Sequence, residues 1–357
     1  MATQHAPASQ TAAHDRSVNP VRVWLFVVAA LVCVMVSIGG ATRLTGSGLS
    51  ITEWQPIIGT VPPLTDAAWQ EAFDKYRQIP QYQNLNKGMS LSEFKFIFWW
   101  EWSHRFLARL VGVVFFVPFV FFLATGRISR ALAPRLGAVF LLGGLQGFIG
   151  WYMVRSGLSG RVDVSQYRLA LHLSLAVLIL GAILWIAMGL RRPAARRATE
   201  RLPGYRVAAA IVGLVFLQIV AGAFVAGMKA GAGYNTWPLM DGRLIPEGLF
   251  ALYPRWANLF ENALTVQFNH RLLAYILFVA VAWQVWRVVQ RTEHGPAQMS
   301  AMALLLAVIA QIALGIWTLL ARVPIELGLA HQAGAVAVFW IAMWHLHALS
   351  PQRAAGR

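Results

Sequence analysis

The feature that most constrains this chain is a series of eight long apolar runs, over residues 21–41, 105–124, 135–154, 169–190, 206–227, 271–290, 299–320 and 328–349. Each is close to the roughly 20 residues a helix needs to cross the hydrocarbon core of a bilayer. Segments of that length sitting in lipid must satisfy their own backbone hydrogen bonds, which helices do. Composition agrees, with 58% hydrophobic and 12% charged residues, where a soluble domain carries about 25% charged residues. The expected fold is an all-α polytopic membrane protein.

A net charge of +16 would suit nucleic acid, but its distribution points to lipid. Arg127, Arg130 and Arg135 fall between spans two and three. Arg191, Arg192, Arg196, Arg197, Arg201 and Arg206 fall between spans four and five, and Arg353 and Arg357 follow span eight. All share one side if the N-terminus is cytoplasmic, as the positive-inside rule requires. Asp15, Glu200 and Glu293 join them, while the other eleven of the fourteen acids map to outer loops or helix mouths. Both termini are therefore expected inside, with no nucleic-acid partner. Cys33 is the sole cysteine, so no disulfide forms within one chain. Residues 1–20 are small and polar and predict a disordered tail. They lack the basic start and early apolar core of a signal peptide, so span one is expected to stay as an anchor.

Internal repetition divides the chain in two. LQGFIGWYMV (145–154) matches AQIALGIWTL (310–319), WSHRFLARL matches FNHRLLAYI, and YRLALHLSLAVLIL matches ELGLAHQAGAVAVF. IGGATRLTGSGLSITEWQP also resembles VAGAFVAGMKAGAGYNTWP. Four spans separate the copies, so both have the same orientation, a parallel repeat. The expected architecture is two tandem parallel-repeat four-helix bundles: a half over 21–190 and a half over 206–349. A basic cytoplasmic linker (191–205) joins them and a tail (350–357) follows. His104 lies 46 residues before Gly150 and His270 lies 45 before Gly315; Gly150 to His172 is 22 and Gly315 to His331 is 16. That last difference sits in one outer loop, which leaves helix register intact.

The repeat gives four of the nine histidines equivalent places: His104, His172, His270 and His331. Each stands near the outer start of an even-numbered span, so each half carries two at similar depth on parallel helices. That suits two axial ligands meeting one iron from opposite faces of a flat macrocycle, and bundle interiors are where such sites are built. Taken singly, a histidine at a helix mouth reads as an interfacial polar residue. Interfacial residues have no reason to keep register across a duplication, and the register is kept. Zinc is disfavoured, because no Cys, His or acid cluster completes a tetrahedral set. His345 and His347, without counterparts in span four, read as interfacial; His5, His14 and His294 read as solvated.

Arg105 and Arg271 each follow a paired histidine. Neighbours on a helix point about 100° apart, so these arginines suit propionates at a porphyrin rim or, equally, lipid phosphates. Arg168, one turn before His172, is a further propionate candidate. Gly143, Gly147 and Gly150 form a small-residue stripe that would let helices approach closely. Gln146 and Gln311 suit interhelical hydrogen bonds, and Trp24, Trp99, Trp100 and Trp344 suit interfacial anchors. Glu101, three residues before His104, shares its face; Gln267 stands at the equivalent place in the second half. A carboxylate at the membrane edge is costly without a task or a partner. Glu101 is therefore the candidate reactive acid of one half, or else it orients His104 or pairs with Arg105.

EWSHR (101–105), NHR (269–271), GGATRLTGSGLS, NTWPLMDG (235–242) and LGLAHQ (327–332) together resemble the haem A synthase family over roughly residues 20–350. The resemblance implies an oxidoreductase of the bacterial inner membrane that converts haem O to haem A for terminal oxidases. It implies oxidation of a ring methyl to a formyl group through hydroxylated intermediates. It further implies haem b as cofactor on His270 and His331, haem O as substrate on His104 and His172, and an essential glutamate, Glu101. Haem O synthase and cytochrome oxidase assembly factors are the implied partners, with a homo-oligomer left open. The outer loops lack the cysteine pairs of one branch, so the chain resembles the branch typical of proteobacteria and mitochondria. Glu53, in the long first outer loop (42–98), is a second acid in a lid. A di-haem b-type electron carrier linked to quinone, or a haem transporter or chaperone, would need the same four histidines.

Overall fold

The computed structural model describes residues 19–55, 58–190 and 201–351. The tail expected to be disordered (up to residue 18), most of the basic linker, and Arg353 and Arg357 lie outside these residues. Regular structure within them is helical: α1 (Pro20–Leu44), α2 (Asp66–Tyr76), α3 (Pro80–Asn84), α4 (Leu91–Ala124), α5 (Ala133–Arg155), α6 (Gln166–Gly189), α7 (Tyr205–Gly227), α8 (Asn258–Glu261), α9 (Ala263–Arg291), α10 (Pro296–Leu320) and α11 (Ile325–Ala348). Eight of these, all but α2, α3 and α8, are long and apolar enough to cross a membrane. The chain is a multi-pass membrane protein.

The eight long helices pack as two rings. In one, α1 touches α4 and α6, and α5 closes the ring against both; in the other, α7 touches α9 and α11, and α10 closes it. The rings meet where α6 packs on α7, α1 packs on α11, and α6 touches α11 between them. The first helix of each group thus meets the fourth of the other, as two copies of one unit turned about a common axis would do. The α1–α11 seam is antiparallel: Leu44 lies beside Gly328, and Phe26 stacks on Trp340 with ring centres 6.1 Å apart. At its middle, Gln332 Nε2 donates to the Val36 carbonyl at 2.6 Å. Leu25, Leu136, Leu180, Leu184 and Val281 belong to the buried apolar core that spans both groups.

Two helices begin well before their apolar runs. Helix α4 starts at a capping box in which Ser90 and Glu93 satisfy each other's backbone N–H groups. Its 34 residues make it about 51 Å long, well beyond the hydrocarbon thickness. Glu101 and His104 therefore lie three turns inside a formed helix, where the apolar run alone suggested its doorstep. Helix α9 likewise starts at Ala263, behind the Asn262 side chain that caps it. Polar residues near the outer ends, Glu, Lys, His and Arg in α4 and Thr, Gln, Asn, His and Arg in α9, helped to hide both starts from an apolar count.

The first outer loop holds two helices and a core of its own. In α2, Trp69, Phe73 and Tyr76 occupy one face at i, i+4 and i+7 and pack with Tyr82, Phe94 and Phe98. Phe73 and Phe94 stack with centres 5.0 Å apart. This cap sits on the protruding turns of α4. Tyr76 is fully buried, and burial raises its pKa above the ordinary tyrosine value.

Three expectations fail. Trp24 is not an interfacial anchor: its Nε1–H donates to the Val114 carbonyl at 2.8 Å, and its ring packs on Phe115 and Phe122. His345 is not interfacial either. It is fully buried at the end of α11, with Gln284 Nε2 3.0 Å from its Nε2 and Ser300 Oγ 2.9 Å from its Nδ1. Gly143 and Gly147 do not bring helices close, since a Cβ on either would meet open space.

Candidate functional site

The four equivalent histidines are each set against a glycine of a neighbouring helix. A Cβ at Gly39 on α1 would stand 2.9 Å from Cε1 of His104 on α4, and one at Gly150 on α5 would stand 3.0 Å from that of His172 on α6. In the other ring the pairs are Gly222 on α7 with His270 on α9 at 3.2 Å, and Gly315 on α10 with His331 on α11 at 2.7 Å. At Gly39 and Gly315 something would have to move, and at Gly150 and Gly222 the ring would have to give by a few tenths of an ångström, so all four glycines are cradles that a methyl group would fill. They also correct the register of the first-helix repeat. The sequence strings place Gly40 opposite Gly222, whereas the cradles pair Gly39 with Gly222.

Gln146 and Gln311 make the interhelical bonds expected of them, and both go to the paired histidines. Gln146 Nε2 donates to the His172 carbonyl at 3.0 Å, and Gln311 Nε2 to the His331 carbonyl at 2.7 Å. Sequence reasoning missed a third. Gln218 Nε2 donates to the His270 carbonyl at 3.1 Å. Each amide nitrogen also stands 3.1–3.2 Å from Nδ1 of the same ring. The signal was available: each glutamine precedes a cradle glycine by four residues, one helical turn.

These residues fit a haem. The rings of His270 and His331 lie 6.5 Å apart, centre to centre. Two imidazoles on opposite sides of one metal sit about 6 Å apart, given a metal–nitrogen bond of about 2 Å and about 1 Å from nitrogen to ring centre. Nδ1 of His104 is buried without a hydrogen-bond partner, a donor or acceptor held out of water for some purpose. Among the described residues no three His, Cys, Asp or Glu converge on a bare ion; the donors come in twos.

Glu101 is buried, 2% exposed, and accepts four hydrogen bonds. Arg105 Nε and a terminal guanidinium nitrogen reach Oε1 at 3.1 and 2.6 Å; Ser50 Oγ and the Ile51 N–H reach Oε2, each at 2.8 Å. Arg105 also donates to the carbonyls of Ile51 and Glu53. Of the two structural tasks considered for Glu101, pairing with Arg105 is the one observed. In the other half, Arg271 donates to Gln267 Oε1 at 2.8 Å and to the carbonyls of Tyr234 and Thr236. Both arginines therefore tie an outer loop to their helix.

A cavity of about 250 Å³ opens beside Arg105, lined among others by Glu53, Trp54, Trp151 and Arg155. Arg155, stacked 5.4 Å above Trp151, is a second cation at this mouth that sequence reasoning did not single out. Glu53 is half-exposed and pairs with Lys75 of α2 at 2.9 Å, an arrangement of a cap edge. Hydrogen bonds to Glu71 and Glu53 hold the Lys75 pKa above the ordinary lysine value. Arg168 lies elsewhere, donating to the Tyr152 carbonyl at 2.6 Å with its guanidinium 3.7 Å over that ring. A larger cavity of about 680 Å³, between α1 and α11, is apolar and lined by none of the four histidines.

Comparison with known proteins bears on this geometry. The family model described as COX15-CtaA, cytochrome oxidase assembly protein, matches residues 22–343. A protein of Parvibaculum lavamentivorans named Heme A synthase is 58% identical over 337 residues, covering 94% of this chain and 96% of its own. Proteins of the same name from Mesorhizobium japonicum and Nitrosomonas eutropha are 53% and 46% identical, over 91% and 96% of this chain and 89% and 98% of their own.

Proposed function

The chain belongs to the COX15-CtaA family of cytochrome oxidase assembly proteins, and from that premise we propose that it is a haem A synthase. It is an enzyme of the membrane that acts on haem, oxidising a ring methyl of haem O to the formyl group of haem A. The observation that carries the reading is the doubled histidine pair, each ring in its glycine cradle, with His270 and His331 spaced so that together they would hold a haem.

In this reading His270 and His331 hold haem b, and His104 and His172 hold the substrate haem O. Haem b supplies one-electron redox chemistry when bound, its potential set by two imidazoles and by burial. The protein's own residues do the rest. The cradles orient the rings, Arg105 and Arg155 receive propionates at the outer mouth, and the α2 cap keeps water from the first-half site. Glu101 is the acid of that site. It takes a proton from water, or offsets positive charge developing at the methyl carbon. Its bond to Arg105 must then loosen during turnover. By the positive-inside rule the arginine-rich side is the cytoplasmic one, with both ends of the chain expected there and the histidine-bearing helix ends toward the outer face of the inner membrane.

Co-expression with a haem O synthase, followed by haem extraction from the purified protein, tests this reading. Haem b together with haem A or a hydroxylated haem O is expected. Haem b alone, with haem O unchanged in the presence of oxidant, would turn the assignment to an electron carrier.

A further inference from the structure

Three of the four histidines share a partner that the fourth lacks. One turn before each of Gly150, Gly222 and Gly315 stands a glutamine that reaches the cradled ring. One turn before Gly39 stands Met35. Positions i and i+4 share a helix face, so Met35 faces His104 as the glutamines face their histidines. Methionine has no donor and only a weakly accepting sulfur. Nδ1 of His104 is accordingly buried without a partner.

The difference matters for metal ligation. An imidazole bound to iron through one nitrogen carries its proton on the other. A group accepting that proton fixes the tautomer and the ring plane and makes the ligand more basic; removing such a group typically costs about 10–100-fold in metal affinity. Gln146 and Gln218 each retain a buried Oε1 with no hydrogen-bond partner. Their amide nitrogens stand 3.1–3.3 Å from both ring nitrogens and donate to the carbonyl of the same histidine, so each amide fixes the ring plane and the backbone behind it. Nothing in the corresponding place can do this for His104.

We propose that Met35, in the place of a glutamine, makes His104 the exchangeable axial ligand of the molecule. The second half then grips its haem from both sides, and the first half grips firmly at His172 only. A bound haem lets go at the His104 side, the side from which Glu101 projects one turn away. This deepens the reading above, on which it rests, by giving a physical reason why the first half handles a haem that must enter and leave while the second keeps its own.

The test is haem release from the full-length protein in lipid nanodiscs, loaded with two equivalents of ferric haem b and mixed with an excess of a haem-scavenging apoglobin. Wild type should release its haems in two phases at least tenfold apart, the fast one absent from His172→Ala and the slow one absent from His331→Ala. Met35→Gln should slow the fast phase about tenfold and shift the electron-spin-resonance signal of that low-spin haem, without touching the slow phase. Gln218→Met should speed the slow phase about tenfold; it copies a side chain that the equivalent helix already carries, so it serves even if Met35→Gln misassembles. Two low-spin haems released at rates unchanged by either substitution would overturn the role of Met35 and leave the four-histidine reading standing. Failure of wild type to take up any low-spin haem would overturn that reading itself.

Discussion

At equivalent places on α4 and α9 an arginine is held by the side chain four residues before it, yet the two outer loops are tied down with opposite polarity. Glu101 accepts from the Ile51 N–H and the Ser50 hydroxyl, while Gln267 donates its amide to the carbonyls of Ala230 and Tyr234. Each loop therefore turns the complementary edge of its backbone toward the helix. The acid of the first half is not a lone change on a fixed frame, because its loop has been reshaped to receive it. The same half has Met35 where the other three sites have a glutamine, and it carries a folded cap over its mouth. The second half keeps the more uniform arrangement, with both histidines matched by a glutamine and a glycine. Divergence has gathered where a substrate would be handled.

The sharpest way to break this comparison is to copy one half into the other. Glu101→Gln should lower haem A formation by about 100-fold or more, the scale set by losing a group that stabilises developing charge. Its haem b content should stay at the wild-type level, measured by the pyridine haemochrome spectrum. Unchanged conversion would reduce Glu101 to a loop fastener. His331→Ala should strip at least about tenfold of the haem b affinity of the purified protein, whereas His104→Ala should leave haem b bound and abolish conversion; equal loss of haem b in both would dissolve the division of roles.

Smaller effects sharpen the picture further. Gly315→Ala puts a methyl 2.7 Å from His331 and should cost about 1–3 kcal/mol of stability, as overpacking does. Gly147→Ala meets open space and should leave the thermal midpoint in place; a matching drop would show that the open space is filled in the membrane. Least affected should be Lys75→Met at the cap edge, within about 0.5 kcal/mol of wild type by thermal unfolding. The raised pKa of Lys75 means its bonds to Glu71 and Glu53 contribute fully below the ordinary lysine value and fade only as pH rises through the raised one. The effect of that substitution should therefore not vary between about pH 6 and 9; a change in that window would assign the lysine a different partner.

Much of this was legible in the residues. Eight runs of bilayer length give the spans, and the repeat gives His104, His172, His270 and His331, because duplication preserves what packing alone would let drift. What stayed hidden has physical causes. The start of α4 carries Glu, Lys, His and Arg among its aromatics and that of α9 carries Thr, Gln, Asn, His and Arg, polar groups that an apolar count discards. The α2 cap was concealed inside a stretch judged by its place between spans, although Trp69, Phe73 and Tyr76 are spaced as one helical face. Gln218 went unseen because aligning Gly40 with Gly222 sets Val36 opposite it. Moving the alignment by one residue puts Met35 there, and the thrice-repeated glutamine becomes visible together with its one exception. Arg155 carries no local signature; only folding sets it beside Arg105.

The antiparallel seam between α1 and α11 has a consequence for the order of the chain. Leu44 meets Gly328, Val36 meets Gln332, and Phe26 meets Trp340, so the start of α1 and the end of α11 emerge as neighbours on one face. The α6–α7 seam has the same form, with Tyr167 packed on Phe224 near the opposite face. One seam is bridged by the polypeptide and the other is not, yet packing treats them alike. A circular permutant that begins at Tyr205, joins Ser350 to Asn19 through a short polar linker and ends at Leu190 would give every helix the neighbours it has now. In packing, the α1–α11 and α6–α7 seams are equivalents that close the eight helices into one cycle.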